Sequence, residues 1–201
     1  MKRLPLVTLI ITAINILLFL IFGNSWADNV GDTNATSWYS LLNVTRLLRN
    51  LLNSFEHSNL QHTLLNMLCF VVTGGYIEYQ LGAKRSLCVF SLMIMLSSLA
   101  IAANYLSLEW CGFSGVNYSL YAFVIVSFLT SIKSKPLKRQ LGGFVMLALI
   151  YLAMCWNGGS NSLGFSAYPY DLIHNLAHYS SFVVGLLFSA CLCAFSAEKC
   201  A

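Results

Sequence analysis

Charged side chains are scarce in this chain: Asp, Glu, Lys and Arg make up 9% of its 201 residues, whereas apolar types make up 58%. A soluble domain usually carries roughly a quarter of its residues as these four charged types. So few charges cannot cover a water-facing surface, which excludes an ordinary soluble globular protein. Because one membrane span takes about 20 apolar residues, the length allows about six spans in one helical bundle and leaves no room for a second domain.

Two further patterns are missing. The net charge is +4, but the basic residues lie in short loops between apolar runs, without the patch interleaved with aromatics that nucleic-acid binding needs. The seven cysteines show no C-x-x-C spacing, and several fall inside apolar runs, namely Cys69, Cys88, Cys191 and Cys193. We interpret the cysteines as small buried apolar residues and predict no metal and no organic cofactor.

Six apolar runs predict an all-α, polytopic membrane protein with spans at residues 4–22, 60–81, 87–108, 113–132, 141–156 and 172–195. The first run resembles a signal peptide, since Ser25-Trp26-Ala27 follows it. It is longer than the usual apolar region of about 7–15 residues, which favours a retained helix. In the external stretch 23–58, leucines recur at near-helical spacing in the second half, which predicts an amphipathic helix at the membrane surface.

The distribution of Lys and Arg predicts the orientation, because positive residues near span ends stay on the cytoplasmic side. One set of alternate loops holds only Arg46 and Arg49. The other set holds Lys2, Arg3, Lys84, Arg85, Lys133, Lys135, Lys138, Arg139 and Lys199. Both termini are therefore predicted in the cytoplasm, and spans two, four and six begin at the outer face.

Polar side chains near the starts of these three spans are candidate functional residues, since such groups are costly in a bilayer. His62 and Asn66 lie one helical turn apart on the same face and can both donate hydrogen bonds to one target. Ser114 opens span four between Gly112 and Gly115, where a backbone or substrate can approach closely.

His178 is predicted about 9 Å below the start of span six, at about 1.5 Å per residue. A nucleophile, a base and two donors at one level form the minimum set for acyl transfer. Span six also carries small residues at intervals of four, which allow close packing on span four. These are Ala177, Ser181, Gly185 and Ser189.

Simpler readings exist for each group. Gly and Ser are common at helix junctions, and a histidine in a membrane helix often bridges helices or lines an ion path. A small transporter or channel is therefore an alternative. That class requires polar residues from one face of the membrane to the other, and the inner halves of spans four and six are apolar.

Four short motifs occur in order along the chain. They are H-x4-H-x3-N at His57, His62 and Asn66; G-G-x-x-E ending at Glu78; Gly112-Phe113-Ser114-Gly115 followed by Tyr118; and Ala177-His178 followed by Gly185. From Arg49 to Gly185 the chain thus resembles the rhomboid family of intramembrane serine proteases. It departs from the family at two positions. Leu48 stands where the family has a Trp before the Arg, and Ser181 stands where the family has the first Gly after the catalytic His.

The resemblance implies a six-span rhomboid bundle and an endopeptidase in which Ser114 is the nucleophile and His178 the general base. It also implies oxyanion donors at His62, Asn66 and the Ser114 N–H. Supporting roles fall to Tyr118 against the His178 ring, to Gly112, Gly115 and Gly185, and to Arg49 and Glu78, which are expected to serve stability. We expect Glu78 to satisfy groups among spans two, three and six.

A dyad is expected because Asp171 lies two turns before His178, roughly 10 Å away along the helix axis at about 1.5 Å per residue. His174 is interpreted as solvated, and the loop 157–170 as a mobile cap. The expected partners are transmembrane protein substrates and membrane lipid, in a bacterial inner membrane, with the site open to the outside. A rhomboid-like protein that binds membrane clients without cleaving them is the second alternative, although both Ser114 and His178 are present.

Overall fold

The computed structural model describes residues 4–23, 44–104, 111–131, 136–157 and 169–198. The regular structure in these ranges is entirely α-helical, which confirms the predicted all-α membrane fold. The helices are α1 Leu6–Phe22, α2 Val44–Asn53, α3 Leu60–Leu81, α4 Ala83–Asn104, α5 Ser114–Thr130, α6 Leu137–Asn157 and α7 Pro169–Glu198.

Segments of α3, α4 and α6 are long and apolar enough to cross a bilayer, at Leu60–Leu81, Ala83–Ile101 and Leu137–Met154. Shorter apolar helical segments cover Leu6–Phe22, Ser114–Thr130 and His178–Leu192. Large apolar side chains on the outside of the bundle are exposed, as lipid-facing positions require. Examples are Leu9, Leu17, Leu68, Leu141, Leu149 and Leu187.

Three helices, α4, α6 and α7, begin three or four residues earlier than the apolar runs predict. Helix α4 starts at Ala83 because a single residue, Gly82 with φ 78°, makes the turn from α3, so the following Lys84 and Arg85 are helical. Helix α7 starts at Pro169, since proline is tolerated in the first turn, where its missing N–H needs no partner. His178 therefore lies nine residues into its helix, about 13 Å along the axis at about 1.5 Å per residue.

Glu78, near the end of α3, binds the first turn of α1. Its Oε1 accepts the Val7 N–H at 3.0 Å, and its Oε2 accepts the Thr8 N–H and the Thr8 hydroxyl, both at 2.8 Å. These amides belong to the helix start, where no intrahelical acceptor is available. The expectation that Glu78 acts among spans two, three and six was wrong in this respect, because these hydrogen bonds join α3 to α1.

We expect Glu78→Gln to destabilise the bundle by about 1–3 kcal/mol, because an amide retains only one of the two accepting oxygens. The rate of any reaction per folded molecule should stay unchanged, since α1 contributes no group to the site described below. Thermal unfolding in detergent, measured beside activity, checks this. A large loss of activity at unchanged melting temperature would contradict a structural role.

Helices α5 and α7 form the most extensive helix pair of the bundle. The stripe of small residues makes this possible: Ser181 is 0% exposed and Ser189 is 3% exposed. A Cβ built on Gly185 would overlap the backbone carbonyl of Ser119, so the two helix backbones touch there. The packing partner predicted for span six is thus confirmed, and this contact holds Ser114 and His178 on neighbouring helices.

Candidate active site

The turn before Ser114 is fixed by two backbone hydrogen bonds. The Gly112 N–H donates to the Asn53 carbonyl at 2.9 Å, and the Phe113 N–H donates to His57 Nε2 at 3.4 Å. The Phe113 ring is fully buried and makes edge contacts with Phe55 and Phe70, at centroid distances of 5.9 and 5.0 Å. The segment between α2 and α3 and the aromatic core therefore position the start of α5.

Ser114 and His178 form the central contact of the site. The Ser114 Oγ and the His178 Nε2 are 2.9 Å apart, and His178 is 6% exposed. The ring of Tyr118, one turn after Ser114, stacks on the imidazole with a centroid distance of 4.6 Å and an interplanar angle of 10°. A hydroxyl, an imidazole nitrogen and a fixed ring plane are thus brought together as nucleophilic catalysis requires.

His62 and Asn66 lie on the other side of the Gly112–Ser114 turn. Asn59 caps α3 by accepting the His62 N–H at 2.8 Å, which fixes the turn that carries His62. A Cβ at Gly112 would stand 2.9 Å from His62 Nε2 and 3.5 Å from Asn66 Nδ2. Both nitrogens therefore approach the backbone immediately before Ser114, and Gly112, with φ 115°, is the residue that permits it.

His57 is a buried neutral imidazole. Its Nδ1 is 3.2 Å from the Phe55 carbonyl, which can only accept, so Nδ1 carries the proton and Nε2 accepts the Phe113 N–H. Burial, and then the neighbouring His62 ring, lower the pKa of His57 to about 3, although the Phe55 carbonyl opposes the shift. Protonation of Nε2 would break the hydrogen bond that holds the nucleophile turn.

The free energy of unfolding should therefore fall as the pH drops below about 6.5. Between pH 6.5 and about 3 the unfolded chain binds a proton at His57 that the folded chain does not bind. The slope approaches roughly 1.4 kcal/mol per pH unit for this one group. Equilibrium unfolding in mixed micelles at several pH values should show a shallower slope for His57→Gln. An unchanged slope would contradict the assignment.

The structure also describes the supporting positions. A Cβ on Gly115 would overlap Ile101 and lie 3.1 Å from the Ser181 hydroxyl, so Ser181 packs on Gly115. Arg49 on α2 is 4% exposed. The side chains of Asp171 and His174 and the loop residues 158–168 lie outside the described residues, so the expectations for them stay predictions.

Three residues of this site were missed as functional from sequence. His57 was noted only as part of a motif, Asn53 contributes its backbone, and Asn117 on α5 donates through Nδ2 to Asn66. A signal for Asn117 was available: it is a strongly polar side chain, 1% exposed, within an otherwise apolar span.

The fold and this site define a class, a polytopic helical membrane protein with a hydrogen-bonded serine and histidine between two packed helices. The Rhomboid domain family model matches residues 43–195 of the chain. The chain belongs to the rhomboid family.

Several curated relatives carry the name Rhomboid protease GlpG. The one from Photorhabdus laumondii subsp. laumondii is 26% identical over 186 residues, which is 90% of this chain and 59% of that protein. Those from Yersinia pestis (strain Pestoides F) and Yersinia pseudotuberculosis serotype O:3 are each 30% identical over 169 residues, 78% of this chain and 54% of theirs. The chain therefore spans little more than half the length of these relatives.

Proposed function

We propose that this protein is an intramembrane serine endopeptidase that hydrolyses peptide bonds in transmembrane segments of other membrane proteins. The observation that carries the proposal is the 2.9 Å contact between Ser114 Oγ and His178 Nε2 at a buried site. Similarity to proteins named as rhomboid proteases supports the same reaction class. The second candidate function is binding of membrane clients without cleavage. Client binding does not require the Ser114 hydroxyl to be aligned with the His178 imidazole.

In the proposed reaction His178 Nε2 takes the proton of the Ser114 hydroxyl while Oγ attacks the carbonyl carbon of the scissile bond. The tetrahedral intermediate collapses, its C–N bond breaks, and the imidazolium gives the proton to the departing amine. Water then attacks the acyl-enzyme, His178 accepts a proton from that water, and the new carboxylic acid leaves as Ser114 regains its hydrogen.

The oxyanion of the intermediate would be held by three donors: the Ser114 N–H, the His62 side chain and the Asn66 side chain. Helix α5 begins at Ser114, so the N–H of this residue has no intrahelical acceptor. His62 Nδ1 lies 3.1 Å from the Ser58 hydroxyl, which can donate to it and so leave the proton on Nε2, the nitrogen near Gly112. Preorganised donors of this kind commonly supply the largest part of such catalysis.

We propose a Ser-His dyad in which the Tyr118 ring orients the base, a contribution that a carboxylate makes in triads. Tyr118 stacks on His178 and fixes the plane of the imidazole, so that Nε2 stays directed at Ser114. Orientation of the base is one of the contributions of the third residue in a triad.

The substrate class is proposed from the access that a peptide carbonyl needs to Ser114. A helix must unwind locally to expose a carbonyl to Ser114, so cleavage should favour transmembrane segments that carry small or helix-breaking residues near the outer face. A substrate panel in which such residues are replaced by Leu checks this. Cleavage that persists at full rate across the panel would contradict it.

We propose a location in a bacterial inner membrane, and the charge distribution supports an orientation with both termini cytoplasmic and the site open to the outside. Under this orientation the starts of α3 and α5 lie near the outer face. Reporter domains fused to either terminus of the chain in a bacterial host test the orientation. If a reporter that functions only outside the membrane is active when fused to either terminus, the orientation is contradicted.

The decisive experiment is labelling of the purified protein in detergent or lipid with a fluorophosphonate probe, followed by cleavage of transmembrane substrates. Ser114→Ala and His178→Ala should both lose labelling and at least about 10³-fold of the cleavage rate. Ser119→Ala is the matched control, because Ser119 is a buried serine on the same helix that donates to the Val116 carbonyl instead of a histidine. It should label like the wild type.

A folded wild type that neither labels nor cleaves any substrate would refute the protease. The client-binding alternative would then take its place, and the same substrates should be captured intact. Labelling that persists in Ser114→Ala would refute the choice of nucleophile.

A further inference from the structure

Asn117 connects the nucleophile helix to the candidate oxyanion donor on α3. It lies one turn after Ser114 on α5 and is 1% exposed. Its Nδ2 donates to the backbone carbonyl of Asn66 at 2.9 Å and to the Asn66 side-chain Oδ1 at 3.1 Å. The side-chain amide of Asn117 thus donates hydrogen bonds to both oxygens of Asn66 on the neighbouring helix.

This contact decides which end of the Asn66 amide faces the site. An Asn side chain has an accepting oxygen at one end and a donating nitrogen at the other, in nearly the same shape. With Oδ1 held by Asn117, Nδ2 is the end that lies 3.5 Å from the Cβ position of Gly112, in the turn before Ser114. Rotation of the amide by half a turn would present an oxygen there and repel an oxyanion.

The Asn66 nitrogen is also buried without a hydrogen-bond partner among the residues that the structure describes. An unsatisfied buried donor costs free energy, so the resting protein would gain by turning this amide toward another acceptor. The Asn117 contact opposes that rotation. The donor is therefore kept ready for a charge that is present only during the reaction.

We propose that Asn117 is a positioning residue that holds the Asn66 amide with its nitrogen toward the oxyanion. The inference rests on the proposed function, since it needs a reaction in which an oxyanion forms. It adds to the site a residue that touches neither the substrate nor Ser114 and acts only through Asn66.

The test is a double-mutant cycle on the full chain, with cleavage of one transmembrane substrate as the readout. Asn117→Leu keeps a similar shape and removes the donor, while Asn66→Ala removes the group on which it acts. Asn117→Leu should lower kcat by at least roughly tenfold, and by no more than the 10²–10³-fold typical of losing a whole oxyanion donor, at unchanged KM. In the Asn66→Ala background the same change should alter kcat by less than about threefold.

Asn15→Leu is the matched control, because Asn15 is also fully buried but bonds through Nδ2 to the Ile11 carbonyl of its own helix, α1. It should keep the wild-type kcat. If Asn117→Leu does not fold, Asn117→Ala, which removes the same donor with a smaller side chain, takes its place in the cycle.

Equal fold losses in the two backgrounds, or a wild-type kcat in Asn117→Leu, would overturn the positioning role while leaving the protease intact. Failure of both Asn117 variants to fold would overturn it as well, because Asn117 would then serve the core. A wild type that cleaves nothing refutes the proposed function instead, and the inference falls with it.

Discussion

Gly185→Ala is expected to destabilise the protein by about 1–3 kcal/mol and to lower its activity about 10²-fold. The new methyl would meet the Ser119 carbonyl, which is backbone and cannot rotate away, so α7 must move from α5. His178 lies on α7, two turns before Gly185, and would move with it. The 2.9 Å contact with Ser114 would lengthen, and misplacement of about 1 Å is enough for a loss of that size.

Gly142→Ala provides the matched comparison. Gly142 is also a helical glycine, in α6, but nothing lies within 4 Å of its Cβ position. Alanine there should be neutral or stabilising by up to about 1 kcal/mol, because it favours the helix. Melting temperatures and cleavage rates of the two variants, measured side by side, check the prediction. If Gly185→Ala behaves like Gly142→Ala, the close approach of α5 and α7 does not control the site.

Gly112→Ala is expected to abolish most of the activity, by about 10²–10³-fold, while the fold is retained. A Cβ at this position would lie 2.7 Å from His62 Cε1 and 2.9 Å from Nε2, so the ring must leave its place beside Ser114. The backbone also has φ 115°, where alanine is strained by about 1–2 kcal/mol. Alanine at this position therefore has two separate effects, displacement of the His62 ring and backbone strain.

Gly82→Ala separates them. Gly82 has φ 78° but nothing within 4 Å of its Cβ position, so alanine there brings backbone strain without a clash at the site. We expect a similar loss of stability in both variants and a loss of activity in Gly112→Ala alone. Thermal unfolding and kcat, determined for each variant, distinguish strain from displacement of His62. A fully active Gly112→Ala would show that His62 plays no part in the reaction.

The helices of this protein could be predicted from its sequence because apolar runs of sufficient length have one stable form in a bilayer. The span at residues 60–81 coincides with α3, since Asn59 caps its start and Gly82 ends it. The start of α4 could not be read in the same way. Lys84 and Arg85 look like loop residues by charge, yet charged side chains at a helix end can extend toward water while their backbone stays helical.

The residues of the candidate site were predictable to the extent that they share a helix or a depth. His62 and Asn66 are one turn apart, and Ser114 and His178 lie on spans that begin at one face, so convergence followed from spacing. Apart from the packing of α7 on α5, which the stripe of small residues predicted, the contacts between helices did not follow. Glu78 was given the wrong neighbours because spacing carries no information on which helix start lies beside a given helix end, and here that start belongs to α1.

Asn117 shows the same limit in the site itself. Its position three residues after Ser114 was visible, but its partner is 51 residues away in sequence, on α3. Helical periodicity gives the face on which a residue lies, and only the packing of α3 against α5 gives the acceptor that this face meets. The pairing of the two amides therefore required coordinates.

The hydrogen bonds from Gly112 to Asn53 and from Phe113 to His57 connect the α2–α3 region to the turn before the serine helix α5. Asn53 ends α2, and His57 lies in the connection that leads to α3, whereas Gly112 and Phe113 lead into the serine helix. A tilt of α2 would displace the two amides that immediately precede the serine. If Ser114 acts as proposed, a bilayer whose thickness tilts α2 would change the reactivity of this serine.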